Sequence, residues 1–219
     1  LPRNSSFLHH HPAAERNAQQ QGLNFQILDE VRRINTNQQD VFFNKVRSAL
    51  WTLRGKKLAA LGLAFKGGTD DIRESPAIDI IRRLMEAGCA ISAYDPVAMD
   101  KTKVVLPPSG LMNYASTAYE AAEGADALLI LTDWAEFGRL DLHQLKETLR
   151  FPIIIDGRNL YRPSYMLEQG FIYISMGRAA AYAGSFGRQS KRGVARLDPP
   201  RLIPGLELST QTQAFRPEA

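Results

Sequence analysis

The 219-residue chain reads as an α/β protein, a long linking helix followed by a Rossmann-like, doubly wound parallel sheet. Three observations predict it. Near-continuous apolar runs at 58–63, 126–131 and 152–156 suit parallel strands covered on both faces. Helical patterns separate these runs, which implies right-handed βαβ crossovers. Ahead of them all, from 24 to 52, apolar residues recur at spacings of three and four.

That first helix carries Ile27, Leu28, Val31, Ile34, Val41, Phe42, Val46 and Leu50, with a polar gap from 35 to 40. At about 1.5 Å per residue it reaches about 40 Å, longer than a typical domain helix needs. It either packs on its own domain or links two domains and pairs with a second subunit. The next elements are a strand at 58–63, a helix at 76–88 and a strand at 90–94. A helix at 117–123 leads to the strand at 126–131, and a helix at 141–149 to the strand at 152–156. A helix at 163–169 and a strand at 171–174 complete the sheet. Residues 179–219 hold Pro199, Pro200, Pro204 and Pro217 with little periodicity, the signature of a disordered tail. Residues 1–22 are polar and irregular. Their His9, His10 and His11 are adjacent, so they do not converge on one ion, and a solvated face is the expectation.

The connection from 62 to 75 is the most informative segment. It reads Gly-Leu-Ala-Phe-Lys-Gly-Gly-Thr-Asp-Asp-Ile-Arg-Glu-Ser, with Pro76 next. Ser75 at the N-cap and Pro76 at N1 mark a helix start. Between strand and helix stand Lys66, Asp70, Asp71, Arg73 and Glu74. Open α/β sheets bind ligands at the carboxyl ends of their strands, where this loop lies. Lys66 and Arg73 suit phosphates or sugar hydroxyls. Asp70 and Asp71 are expected to form turns and pair with arginine rather than hold a metal. Two further polar clusters share that edge: Tyr94-Asp95-Pro96 and Asp156-Gly157-Arg158-Asn159. Gly157 permits close approach of the backbone beside Arg158. Asp95 stands where a dinucleotide fold places its ribose-binding acid, yet G-x-G-x-x-G is absent from the first turn. Asp95 is therefore expected to be a structural turn residue.

Composition narrows the classes. The net charge is +4, but residues 179–219 alone carry six basic and three acidic groups. The remaining chain is nearly neutral, so a nucleic-acid partner is not expected. No run of 18 apolar residues predicts a membrane span. The single cysteine, Cys89, excludes an internal disulfide framework, fits a cytoplasmic setting and reads as a packing residue.

The 62–76 segment closely resembles the signature of the UDP-glucose/GDP-mannose dehydrogenase family at the start of its C-terminal nucleotide-sugar-binding domain. The resemblance continues through Ala93-Tyr94-Asp95-Pro96, Ala125-Asp126-Ala127, Thr132-Asp133-Trp134 and Ile155-Asp156-Gly157-Arg158-Asn159-Leu160, and ends near Met176-Gly177-Arg178. It implies four segments. Residues 1–23 would be a remnant of the catalytic-loop region, 24–55 the central linking and dimerisation helix, 56–178 a UDP-binding Rossmann-like domain, and 179–219 the basic tail. It also implies an NAD-dependent oxidation of a nucleotide-sugar at C6, with Lys66 and Arg158 on the sugar nucleotide and Arg73 reaching the dinucleotide. NAD itself would be held mainly by a domain outside this sequence. The family's cysteine nucleophile would precede Leu1, and Asn4 stands where the family has an assisting aspartate. An amide is no carboxylate base, so no catalytic set is complete and the chain alone is expected to be inactive. UDP-glucose is the favoured substrate; UDP-N-acetylmannosamine and GDP-mannose share these motifs. The alternative is a non-catalytic nucleotide-sugar-binding or oligomerisation module. A homodimer through 24–52 is the expected assembly.

Overall fold

The computed structural model describes residues 26–181, which fall in one compact unit. Asn4, the three histidines and residues 182–219 lie outside the described residues. The first helix, α1, spans Gln26–Leu50, and β1 (Lys57–Leu61) and α2 (Pro76–Glu86) follow. Then come β2 (Ala90–Tyr94), α3 (Met99–Val105), β3 (Met112–Tyr114), α4 (Ala118–Ala122) and β4 (Ala127–Ile130). A 3₁₀ turn at Phe137–Arg139, α5 (Leu142–Thr148), β5 (Ile153–Asp156), α6 (Pro163–Glu168) and β6 (Ile172–Ser175) close the unit. All six strands are parallel, in the order β3-β2-β1-β4-β5-β6, the doubly wound arrangement that the apolar runs predict.

Sequence reading finds five of the strands and misses β3 and α3. The reason is physical. β3 has three residues, too few for a period, and α3 buries only Thr102 while Val104 points outward at 82% exposure. Neither carries the apolar pattern that marks the other elements.

Burial explains the central strands. Residues 58–61 of β1 and all of β4 are buried, as two-sided coverage requires. Leu58, Ala60 and Leu129 join α1 and α2 in one apolar cluster. Ala59, Leu61, Leu128 and Ile130 join α4, α5 and α6 in the other. Helix α1 docks through Phe42, Val46 and Leu50, spaced by four residues on one stripe. Asp40 bridges Arg83 of α2 at 2.8 Å, and the Arg83 guanidinium lies 4.6 Å from the Phe43 ring centre. Ile34 and Val41 are 48% and 43% exposed on the flank of that stripe. No helix among the described residues is long and apolar enough to cross a membrane.

Candidate functional site

The parallel register brings five strand ends to one level: Leu61, Tyr94, Ile130, Asp156 and Ser175 are cross-strand partners in turn. The three polar clusters read from the sequence emerge together at this edge.

Buried Asp95 ties the loops there into one body. Its Oδ2 accepts the N–H of Leu63 at 2.7 Å, that of Ala64 at 3.1 Å and the Trp134 indole N–H at 3.0 Å. Its Oδ1 accepts the N–H of Val97 at 3.0 Å and of Ala98 at 2.8 Å. Five donors from three connections thus share one carboxylate. The Asp-Pro pair signals a turn, but nothing local to it signals the other two loops. The 132–134 segment, quoted only as a motif, is the second brace. Thr132 Oγ1 donates to the Ala64 carbonyl at 2.6 Å, and Asp133 Oδ1 accepts the Gly67 N–H at 3.0 Å. A Cβ on Gly67 would lie 2.7 Å from the Asp133 carbonyl oxygen, so only glycine allows that approach. Ser75 does occupy the N-cap of α2, before Pro76 at N1. Its hydroxyl makes no cap, however: it donates to the Leu63 carbonyl at 2.7 Å and pins the far end of the loop to the near end.

On this base stand the candidate side chains. Lys66 is exposed and has no hydrogen-bond or ion-pair partner among the described residues. Arg158 is exposed, and its guanidinium reaches back across the edge. Nε donates to the Leu131 carbonyl at 2.8 Å and Nη2 to the Phe65 carbonyl at 3.2 Å. The structure therefore brings Arg158 against the residue before Lys66. Asp156 does not pair with the guanidinium. Its Oδ1 accepts the Arg158 backbone N–H at 2.7 Å, and its Oδ2 accepts from Leu160 N at 2.8 Å and Tyr173 Oη at 2.6 Å. Burial first, then the bond to Asp156, pushes the Tyr173 hydroxyl far above its usual range, so it remains the donor. Two of the five guanidinium N–H groups of Arg158 are engaged by these carbonyls, and the rest are available to an anion.

Three of the other loop charges are paired. Arg73 makes a two-pronged contact with Asp71, Nε to Oδ1 at 2.9 Å and Nη2 to Oδ2 at 2.7 Å, with its side chain 83% exposed. Asp70 bridges Lys101 at 2.7 Å. A shallow open depression lined by Gly68, Thr69, Asp70, Val97 and Trp134 adjoins the loop.

These residues do not fit a dinucleotide. Gly62 and Gly67 of the first turn accommodate the protein itself: a Cβ on Gly62 would lie 2.4 Å from Thr132 Cβ, and one on Gly67 2.7 Å from the Asp133 carbonyl oxygen. The acid that would meet a ribose, Asp95, is buried and saturated by backbone and indole donors. Cys89 lies at the opposite edge, beside the start of β2. It is fully buried, its Sγ–H donates to the Leu53 carbonyl, and burial, with a smaller push from Asp126, raises its thiol to about 11.

Comparison with known proteins identifies the family. Residues 59–163 match the UDP-glucose/GDP-mannose dehydrogenase family, UDP binding domain. The chain is 42% identical over 156 residues to the UDP-glucose 6-dehydrogenase YwqF of Bacillus subtilis (strain 168), covering 71% of this chain and 35% of that one. It is 38% identical over 172 residues to a UDP-glucose 6-dehydrogenase of Pseudomonas aeruginosa, covering 76% and 38%. Among solved structures it resembles a UDP-glucose dehydrogenase from the archaeon Pyrobaculum islandicum, with 28% identity, a TM-score of 0.62, and coverage of 78% and 35%. It also resembles a UDP-D-ManNAc dehydrogenase from Pyrococcus horikoshii, with 30% identity, a TM-score of 0.54, and coverage of 71% and 34%. The chain thus spans little more than a third of the relatives it matches. On these matches the chain belongs to the UDP-glucose/GDP-mannose dehydrogenase family, with residues 59–163 as its UDP-binding domain.

Proposed function

We propose that this chain binds a UDP-sugar at the carboxyl edge of its sheet, as the nucleotide-sugar-binding part of an NAD-dependent 6-dehydrogenase with UDP-glucose as its substrate. The observation that carries the reading is the pairing of Lys66 and Arg158. Two carbonyls anchor one face of the Arg158 guanidinium and leave donors over, while Lys66, one residue past the Phe65 anchor, has no partner among the described residues. A planar fork anchored by carbonyls next to an exposed ammonium suits a diphosphate, which offers several oxygens over a few ångströms. Calorimetric titration with UDP, GDP and UDP-glucose tests it. UDP and UDP-glucose should bind and GDP should bind less well. Unchanged titrations for Lys66→Ala and Arg158→Ala would remove the assignment.

Arg73 belongs to the cofactor side of this reading. Asp71 holds its guanidinium by two hydrogen bonds at an exposed position, from which it would reach a dinucleotide carried by another part of the enzyme. NAD would supply the hydride acceptor. The described residues bind and orient the sugar nucleotide, and on their own they should form no NADH from UDP-glucose and NAD. Steady, Lys66-dependent NADH production would contradict that.

The second reading, a non-catalytic binding and oligomerisation module, is favoured by α1. Ile34 and Val41 are half-exposed on a helix that docks through Phe42, Val46 and Leu50, and a second copy of the chain would cover them. Val41→Glu should then give monomers in light scattering; a wild-type chain that stays monomeric at high concentration would exclude the pairing.

A further inference from the structure

We propose that Phe42 of α1 is a positioning residue for the Arg158 guanidinium, so that the docking of the long helix and ligand binding at the sheet edge are energetically linked. The inference rests on the reading that Arg158 contacts the sugar nucleotide. It goes beyond that reading by naming what holds Arg158 in place.

The link is a single tight packing point. Phe42 is 3% exposed, and its ring edge lies against Gly157, the residue before Arg158. A Cβ on Gly157 would stand 3.2 Å from Phe42 Cε2 and 3.1 Å from the Ile130 carbonyl oxygen. The Gly157 N–H donates to that same carbonyl at 2.9 Å. The Gly157 peptide is thus hydrogen-bonded to the end of β4 and packed by an aromatic ring delivered by α1. Arg158 leaves the backbone from this held peptide. Its side chain must then reach two separate carbonyls, Leu131 and Phe65, which fixes the fork only if the departure point is fixed. Asp156 holds the Arg158 N–H from below, but no side chain other than Phe42 comes within 3.4 Å of a Cβ placed on Gly157.

Of the residues of α1, Phe42 supplies the nearest atoms to that Cβ. Val46, one turn on, is fully buried in the same apolar cluster, yet it is not among the nearest atoms to Gly157. The two residues therefore separate the general docking of α1 from the specific hold on Arg158. Because packed interiors transmit small displacements rather than absorb them, trimming the ring should let the 157–158 peptide shift toward the space left.

Three measurements on the full chain test this. UDP affinity is measured by calorimetry for wild type, Phe42→Leu and Val46→Ala, below the temperature at which either variant unfolds. Removing a charge-assisted contact weakens binding by roughly 10–150-fold, so Phe42→Leu, which displaces that contact without deleting it, should lose UDP affinity by several-fold and by no more than Arg158→Ala does. Val46→Ala, with comparable loss of thermal stability, should bind UDP as wild type does. In an Arg158→Ala background, Phe42→Leu should cause no additional loss. Independently of ligand, the Arg158 Nε–H signal in ¹⁵N NMR should be exchange-protected in wild type and Val46→Ala and lose protection in Phe42→Leu. Equal affinity losses in Phe42→Leu and Val46→Ala, an undiminished Phe42→Leu effect without Arg158, or an unchanged Nε–H signal would overturn the proposal. Failure of wild type to bind UDP, with the NMR difference present, would instead sink the binding reading and leave the packing link standing.

Discussion

The two edges of the sheet carry the same kinds of side chain, arranged to opposite effect. At the amino edge, buried Asp126 accepts the Lys57 N–H at 2.9 Å and faces Lys56 and Arg150 at 3.7 and 3.5 Å. Those two cations also flank the Phe151 ring, and Lys57 Nζ donates to the Glu123 carbonyl. Every basic group named there is engaged by the protein. At the carboxyl edge the buried carboxylates, Asp95 and Asp156, accept only neutral donors: backbone N–H groups, an indole and a phenol. The basic groups beside them keep donors in reserve. Among the groups named, only Arg158, at the carboxyl edge, presents a guanidinium anchored by two carbonyls and by no carboxylate, whereas that of Arg150 faces Asp126.

The largest expected difference concerns the two edges' carboxylates. Asp95→Ala strands five donors, four of them backbone N–H groups, and each unsatisfied buried donor costs about 1–3 kcal/mol, so a loss of about 4 kcal/mol or more is expected. Asp126→Ala strands one backbone N–H and releases two cations to water, for about 1–2 kcal/mol. Chemical denaturation midpoints check the ranking, and equal losses would break the contrast.

A smaller effect is tied to Cys89 at the amino edge. Its thiol is raised from the ordinary 9.0 to about 11, chiefly by burial. In the unfolded chain the thiol ionises first, so the unfolded state binds fewer protons above pH 9. Stability should therefore fall as pH rises from 9 to about 11, by an amount on the order of 2 kcal/mol, and be fully present below pH 9. Cys89→Ala should flatten that part of the profile. In the native chain below pH 9 the thiol should resist alkylation, and rapid modification there would place it outside the core.

The smallest expected effect sharpens the comparison from its weak side. Arg150→Ala removes a 65%-exposed side chain from Asp126, and such pairs contribute about 1 kcal/mol or less. A thermal shift beyond that scale would mean the amino edge is more tightly built than its geometry shows.

Much of this was legible in the sequence because it is written in residue types. The apolar runs of β1, β4 and β5, the Ser75-Pro76 start of α2 and the charged loop between them each have a local signature. Lys66 and Arg158 could be named because both sit on loops at strand carboxyl ends and both match the ligand positions that the family resemblance implies. What holds them could not be read. The anchors of Arg158 are carbonyls of Leu131 and Phe65, and a carbonyl has no residue signature. Asp95 announces a turn through Pro96, while three of its five donors come from residues 31 to 39 positions away. Phe42 reads as one more apolar position on a helix, and its contact with Gly157 depends on how α1 crosses the sheet.

The central question is whether the guanidinium anchored by the Leu131 and Phe65 carbonyls carries the ligand. Calorimetric titration of UDP into Arg158→Ala and Arg150→Ala, compared with wild type, measures this directly. The two variants remove the same side chain from opposite edges. Loss of a charge-assisted contact costs about 1.5–3 kcal/mol, so Arg158→Ala should bind UDP roughly 10–150-fold more weakly while Arg150→Ala matches wild type. Weakening by Arg150→Ala, or an undiminished titration for Arg158→Ala, would contradict the account.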